Sequence, residues 1–135
     1  MSEIIVNKLI KMEEYISELE KYKPQSYKEY KNDQLKRYAV ERLIQLIIDL
    51  ALDVNNALIK NSNKYPAKDY YSSFLKLVDL GILPEEFAED IAPSTGIRNR
   101  LVHEYEEVDD KVVFENLDKL LKYYLKYIKF INQNI

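Results

Sequence analysis

Ala39-Val40-Glu41-Arg42-Leu43-Ile44-Gln45-Leu46-Ile47-Ile48-Asp49-Leu50-Ala51-Leu52-Asp53-Val54-Asn55-Asn56-Ala57-Leu58 is the stretch on which the fold turns. Wound at about 3.6 residues per turn, it is apolar on most sides. A helix of this kind is central to its domain, or is buried on one side by its own core and on another by a partner chain. Glu41, Gln45, Asp49, Asp53 and Asn56 recur along it every third or fourth residue and form a polar stripe. The stripe has two readings, a solvent-facing edge and the wall of a wet cleft, because buried acids need partners. Asp49 and Asp53 also break the run short of the ~18 apolar residues that a membrane span needs.

The helical period continues on both sides. Upstream, Ile5, Leu9, Met12, Ile16 and Leu19 predict a helix capped by Ser2 and running to about Tyr22, where Pro24 ends it. Ser26 and Glu29 read as a capping box, and helix then runs to about Lys60 with a break near Asn32-Asp33. Asn61-Ser62-Asn63, Lys64 and Pro66 make a loop. A further helix covers roughly Lys68 to Leu80, with Gly81 where a left-handed stop belongs. Pro84 opens a short helix to about Ile91, Pro93 interrupts, Ser94 recaps, and helix resumes to about Glu104. After a turn at Asp109-Asp110 a last helix runs from about Val112 to Asn132. With no repeat, low-complexity tract or linker, residues 1–135 read as one all-α domain, an antiparallel bundle of four to five main helices.

Composition narrows the function. The 135 residues are 47% apolar and 32% charged, which excludes a disordered chain and a membrane-embedded one. The first residues, Met1-Ser2-Glu3, lack the basic-then-apolar layout of a secretory signal, so a cytoplasmic protein is expected. No cysteine is present, which removes disulfides, thiol catalysis and cysteine zinc sites. Two isolated glycines write neither a phosphate-cradling loop nor a dinucleotide fingerprint. The net charge of −3 and pI near 5.3 mean that any role on nucleic acid rests on a local site, not on a global basic field.

The chain holds one histidine, His103, and four arginines, two of which flank Asn99. The local sequence is Gly96-Ile97-Arg98-Asn99-Arg100-Leu101-Val102-His103-Glu104-Tyr105. Residues five apart on a helix sit about 140° round from each other, so Arg98 and His103 do not share a face. Asn99 and His103, four apart, do, and Asn99 is placed to fix the imidazole.

Arg98-Asn99-x-x-x-His103-x-Tyr105 resembles the R-x4-H-x-Y signature of HEPN domains, specifically of the HepT-like toxins of prokaryotic toxin–antitoxin pairs. Tyr38-Ala39-Val40-Glu41-Arg42-Leu43-Ile44-Gln45, with Asp53 two turns on, is similar to the second helix of that family, and the likeness covers essentially the whole chain. What the resemblance implies is a HEPN-like bundle acting as a metal-independent endoribonuclease with no cofactor, in which a 2′-hydroxyl attacks the neighbouring phosphorus to give a cyclic phosphate. An imidazole, with an ordinary pKa of about 6.5, suits proton transfer in such a step. A guanidinium suits a two-pronged hold on the phosphate. His103 and Arg98 are thus the expected catalytic residues, with Asn99 in support and Asp53, Asp49 and Gln45 as cleft support.

One imidazole does not readily serve as both acid and base in one step. A two-fold homodimer with a composite cleft supplies the second His103 and Arg98. The resemblance also implies a partner, a minimal nucleotidyltransferase (MNT) antitoxin that adenylylates Tyr105 and so blocks the phosphate site by bulk and charge. The rival reading is a non-catalytic HEPN module that only binds the transferase. Glu104, Glu106, Glu107, Asp109 and Asp110 read as an acidic turn before a helix, in preference to a metal site. Lys119, Lys122, Lys126 and Lys129, beside Tyr123 and Tyr127, read as a solvated lysine face in preference to an RNA-tracking strip.

Overall fold

A computed structural model describes residues 3–103 and 109–135. They form seven helices: α1 (Glu3–Tyr22), α2 (Tyr27–Asn32), α3 (Gln34–Asn61), α4 (Tyr70–Asp79), α5 (Glu85–Ile91), α6 (Ser94–His103) and α7 (Asp110–Gln133). The expected Ser2 cap lies outside the described residues.

Local chemistry sets most boundaries. Ser26 caps α2 by accepting from the Glu29 amide, while the Glu29 carboxylate reaches back to the Gln25 amide at 2.9 Å. Glu29 also holds Lys36 of α3, and these bonds depress its carboxyl below the usual range, the Lys36 contact most of all. Asp33 is the break between α2 and α3: its extended backbone closes one helix and its side chain caps the next. Gly81 adopts φ 75° after α4, the left-handed conformation that favours glycine.

Two expectations are corrected. The α4 helix begins at Tyr70 and not at Lys68, because Asp69 takes the cap position and accepts from the Ser72 amide at 2.7 Å. Ser94 does not cap α6. Its hydroxyl donates back to the Ile91 carbonyl at 2.7 Å, and the Tyr124 hydroxyl donates to it at 2.6 Å. The start of α6 is therefore tied to both the end of α5 and the middle of α7.

The α3 helix is the axis of the bundle, packing against α1, α2, α4 and α6. Val40, Ile44, Ile47, Ile48, Ala51, Leu52 and Val54 are buried on it, against Ile5, Leu9, Met12, Ile16 and Leu19 of α1 and against Leu117, Leu121, Tyr124 and Ile128 of α7 within one core. Each large side chain so buried contributes roughly 1.5–3 kcal/mol. A polar seam crosses this core. Asn55, fully buried, donates to Ser73 of α4 at 3.0 Å and accepts from the Tyr127 hydroxyl of α7 at 2.6 Å. No helix among the described residues is long and apolar enough to cross a membrane.

Candidate active site

The polar stripe of α3 divides between the two readings. Asp49, half-buried, meets α6: Arg98 donates through Nε to Asp49 Oδ1 at 2.6 Å, with the Arg98 side chain only 14% exposed. Asp53 lies one turn on, more open to solvent, and its carboxylate is 3.2 Å from Lys8 of α1. Asn56 is exposed, and Gln45 is half-buried with no hydrogen bond to a motif residue among the described residues. Of the three residues expected to support the cleft, the fold brings Asp49 alone to Arg98.

Three contacts fix the Arg98 side chain. Besides Asp49, its Nη1 donates to Asn99 Oδ1 at 3.2 Å, and its guanidinium carbon sits 5.0 Å from the centre of the Tyr70 ring. A charge-assisted bond on one edge and an aromatic face beneath hold the plane of the cation while leaving donors free.

His103 ends α6 and is exposed. With Gly96, Asn99 and Arg100 of α6 it faces Lys68, Asp69 and Tyr70 across an open cleft of about 680 Å³. Asn99 and His103 share this wall, as residues four apart must. Arg98 stands behind it, turned toward α3. Another void, about 10 Å³ among Ile16, Ile44, Leu121 and Tyr124, is apolar and interior, a packing gap without chemistry. Lys68, Tyr70 and Arg100 were not singled out in the sequence. A basic residue two before a helix that starts with two tyrosines was the available signal.

Tyr105 and the acids Glu104, Glu106 and Glu107 lie outside the described residues. Asp109 caps α7 by accepting from the Lys111 and Val112 amides, and Asp110 lies 3.6 Å from Arg37. No cluster of three His, Asp or Glu side chains suited to a metal ion occurs among the described residues. On α7, Lys119, Lys122, Lys126 and Lys129 are exposed and Lys119 lies over the Tyr123 ring at 5.6 Å. Tyr127, which the sequence placed beside them, points into the core and is fully buried.

An all-helical bundle with an Arg-Asn and His pair on one short helix, set over an open cleft, is the architecture of a HEPN-type domain. The chain belongs to the Ribonuclease HepT-like family, whose model matches residues 12–131. It is 34% identical over 129 residues to the tRNA nuclease HepT of Aphanizomenon flos-aquae, covering 96% of this chain and 88% of that protein. Its fold matches that of the tri-AMPylated Shewanella oneidensis HEPN toxin, solved in complex with an MNT antitoxin, with a TM-score of 0.88 at 20% identity, covering 98% and 99% of the two chains. YutE of Bacillus subtilis, a cytosolic protein of unknown function, matches with a TM-score of 0.83 at 18% identity, over 96% of this chain and 87% of that one.

Proposed function

We propose that this chain, as a single HEPN domain, is the ribonuclease toxin of a toxin–antitoxin pair. The observation that carries the reading is His103 at the lip of an open cleft, on the same short helix as an Arg98 that stands behind that wall, oriented by Asp49, Asn99 and Tyr70. The relative called a tRNA nuclease makes tRNA the first substrate to try.

The chemistry follows from these groups. One imidazole takes the proton of the 2′-hydroxyl. The 2′-oxygen bonds to phosphorus, the bond from phosphorus to the 5′-oxygen breaks, and that oxygen leaves with a proton from a second acid. The products are a 2′,3′-cyclic phosphate and a free 5′-hydroxyl, and no metal is required. Arg98 binds the non-bridging oxygens and is worth most as their charge grows. The second acid is the His103 of another copy in a two-fold dimer, which gives the exposed, His-bearing end of α6 a role at a shared cleft. The MNT antitoxin, the partner in the complex of the similar Shewanella toxin, then silences the site by adenylylating Tyr105, two residues beyond the histidine.

The test is cleavage of tRNA and total RNA in EDTA by protein whose mass shows Tyr105 unmodified, beside His103→Ala. Cyclic-phosphate ends made by the wild type alone support the reading. No cleavage by unmodified protein overturns it in favour of a binding module, and cleavage by His103→Ala removes the histidine from its role.

A further inference from the structure

The connection from α3 to α4 carries chemistry that the motif does not use. Residues 60–71 read Lys60-Asn61-Ser62-Asn63-Lys64-Tyr65-Pro66-Ala67-Lys68-Asp69-Tyr70-Tyr71, three lysines and three tyrosines with one acid, in a chain of net charge −3. Tyr65 is 87% exposed, Tyr70 41% and Tyr71 43%. Exposed aromatic rings scattered singly are ordinary, but three within seven residues interleaved with cations are the composition of surfaces that bind single-stranded nucleic acid. The one acid is occupied: Asp69 accepts from the Ser72 amide at the start of α4. Lys64, Lys68 and Arg100 make no ion pair among the described residues.

The fold places three residues of this segment on one wall of the cleft. Lys68, Asp69 and Tyr70 stand opposite Gly96, Asn99, Arg100 and His103. Tyr70 lies against Arg98 and still keeps two-fifths of its surface in solvent. At Gly96 nothing lies within 4 Å of where a Cβ would be, so the opposite wall is open at that point. A strand entering here passes between a wall carrying the Tyr70 ring and Lys68 and a facing wall carrying Arg100 on its way to His103.

We infer that this cleft is the substrate track: the Tyr70 ring stacks on a base adjoining the scissile phosphate, and Lys68 on the same wall and Arg100 on the facing one take the flanking phosphates of a single-stranded RNA segment. The inference rests on the ribonuclease reading and adds to it the residues that hold the strand. Single-stranded RNA is favoured over a duplex because a ring can stack only on a base that is already unstacked from its neighbours. It is favoured over a protein partner because an exposed ring beside cations that make no ion pair among the described residues suits a polyanion whose bases stack.

The experiment is fluorescence anisotropy with labelled single-stranded RNA and with the same sequence as a duplex, in a His103→Ala background so that binding is read without cleavage. Tyr70→Ala is expected to weaken single-strand binding about tenfold, while Tyr70→Phe, which keeps the π face, stays within about twofold. Lys68→Ala is expected to weaken binding and to lower the salt dependence of log K by about 0.7. Unchanged affinity in both Tyr70→Ala and Lys68→Ala overturns the track, as does a preference for the duplex. Steady-state cleavage with His103 present separates a ring that only props Arg98: kcat falling while single-strand affinity holds would also overturn it. The two readings fail separately. Tyr70-dependent binding by a wild type that cleaves no RNA leaves the track standing without the nuclease, and cleavage indifferent to Tyr70 and Lys68 leaves the nuclease without the track.

Discussion

Arg98 of the motif helix and Asp49 at the middle of the central helix are joined by a 2.6 Å charge-assisted bond. Forty-nine residues apart in sequence, they fasten α6, which ends at His103, to the most deeply packed element of the fold. The pair is half-buried, so it is screened less than a surface ion pair and has a defined geometry to lose. Asp49→Asn keeps the shape and one acceptor but removes the charge that fixes Nε. If Arg98 is the phosphate clamp, kcat should fall by about 10²-fold, the cost of a misplacement near 1 Å, with a smaller change in KM. Steady-state kinetics on an RNA substrate check this. Wild-type kcat in Asp49→Ala would separate the bond from catalysis.

His103 gives the complementary case, a side chain to which the proposed mechanism gives a chemical role and the described fold gives no structural one. It is exposed and makes no hydrogen bond among the described residues. His103→Ala should reduce cleavage by about 10²–10⁴-fold, the usual worth of a positioned acid or base. Its unfolding free energy should stay within about 0.5 kcal/mol of wild type. Thermal melts beside the activity assay check both halves. A large drop in stability would mean that the imidazole packs on something that lowers activity only indirectly.

Most of the fold was legible because it is written in local signals. The apolar period of α1, α3 and α7, the Ser26 cap, the Asp33 break and the Gly81 stop are each decided within a few residues. Helix arithmetic also anticipated that Asn99 and His103 would share a wall and that Arg98 would not join them. What stayed hidden depends on how helices dock. The sequence shows Asp49 and Asp53 as equal members of one stripe, and only the approach of α6 to one and of α1 to the other gives them Arg98 and Lys8 as partners. Tyr70 and Lys68 looked like an ordinary helix start, because nothing local says that α6 lies across from them. Ser94 was misread for the same reason. Its hydroxyl faces Tyr124, thirty residues away, and that tertiary bond outweighs a capping preference.

The seam of Asn55, Ser73 and Tyr127 ties α3, α4 and α7 together inside the core. Tyr127 donates to Asn55 Oδ1 at 2.6 Å and lies 3.1 Å from the Ala51 carbonyl, all of it buried. Burial pushes the phenol well above its ordinary pKa, so it remains a neutral donor throughout the working range. Tyr127→Phe leaves Asn55 short of a donor in a dry environment and should cost about 1–3 kcal/mol. Asn55→Ala should cost at least as much, since it strips both Tyr127 and Ser73. Chemical denaturation with each single variant and the double variant gives the coupling. Additive losses would show that the three residues do not act as one network.

Glu41, on the α2-facing flank of the same central helix, provides a test in pH. Its carboxyl is held above its ordinary pKa, first by burial and then by Asp110 at the start of α7, with Arg37 opposing both. The folded state therefore binds this proton more tightly than the unfolded state does. The stability it contributes is fully present below the unfolded value, near 4.3, and is lost as pH rises through the raised folded value. At neutral pH the ionised group is a net burden. Glu41→Gln should raise Tm at pH 7 by about 1–3 °C and show no gain at pH 4, where the wild type carries the proton itself. Melts of both proteins from pH 4 to pH 8 check the sign. A variant less stable than wild type at pH 7 would mean that Arg37 holds the carboxylate more strongly than burial and Asp110 disfavour it, and would make Glu41 part of an ion pair with Arg37 at the junction of α2, α3 and α7.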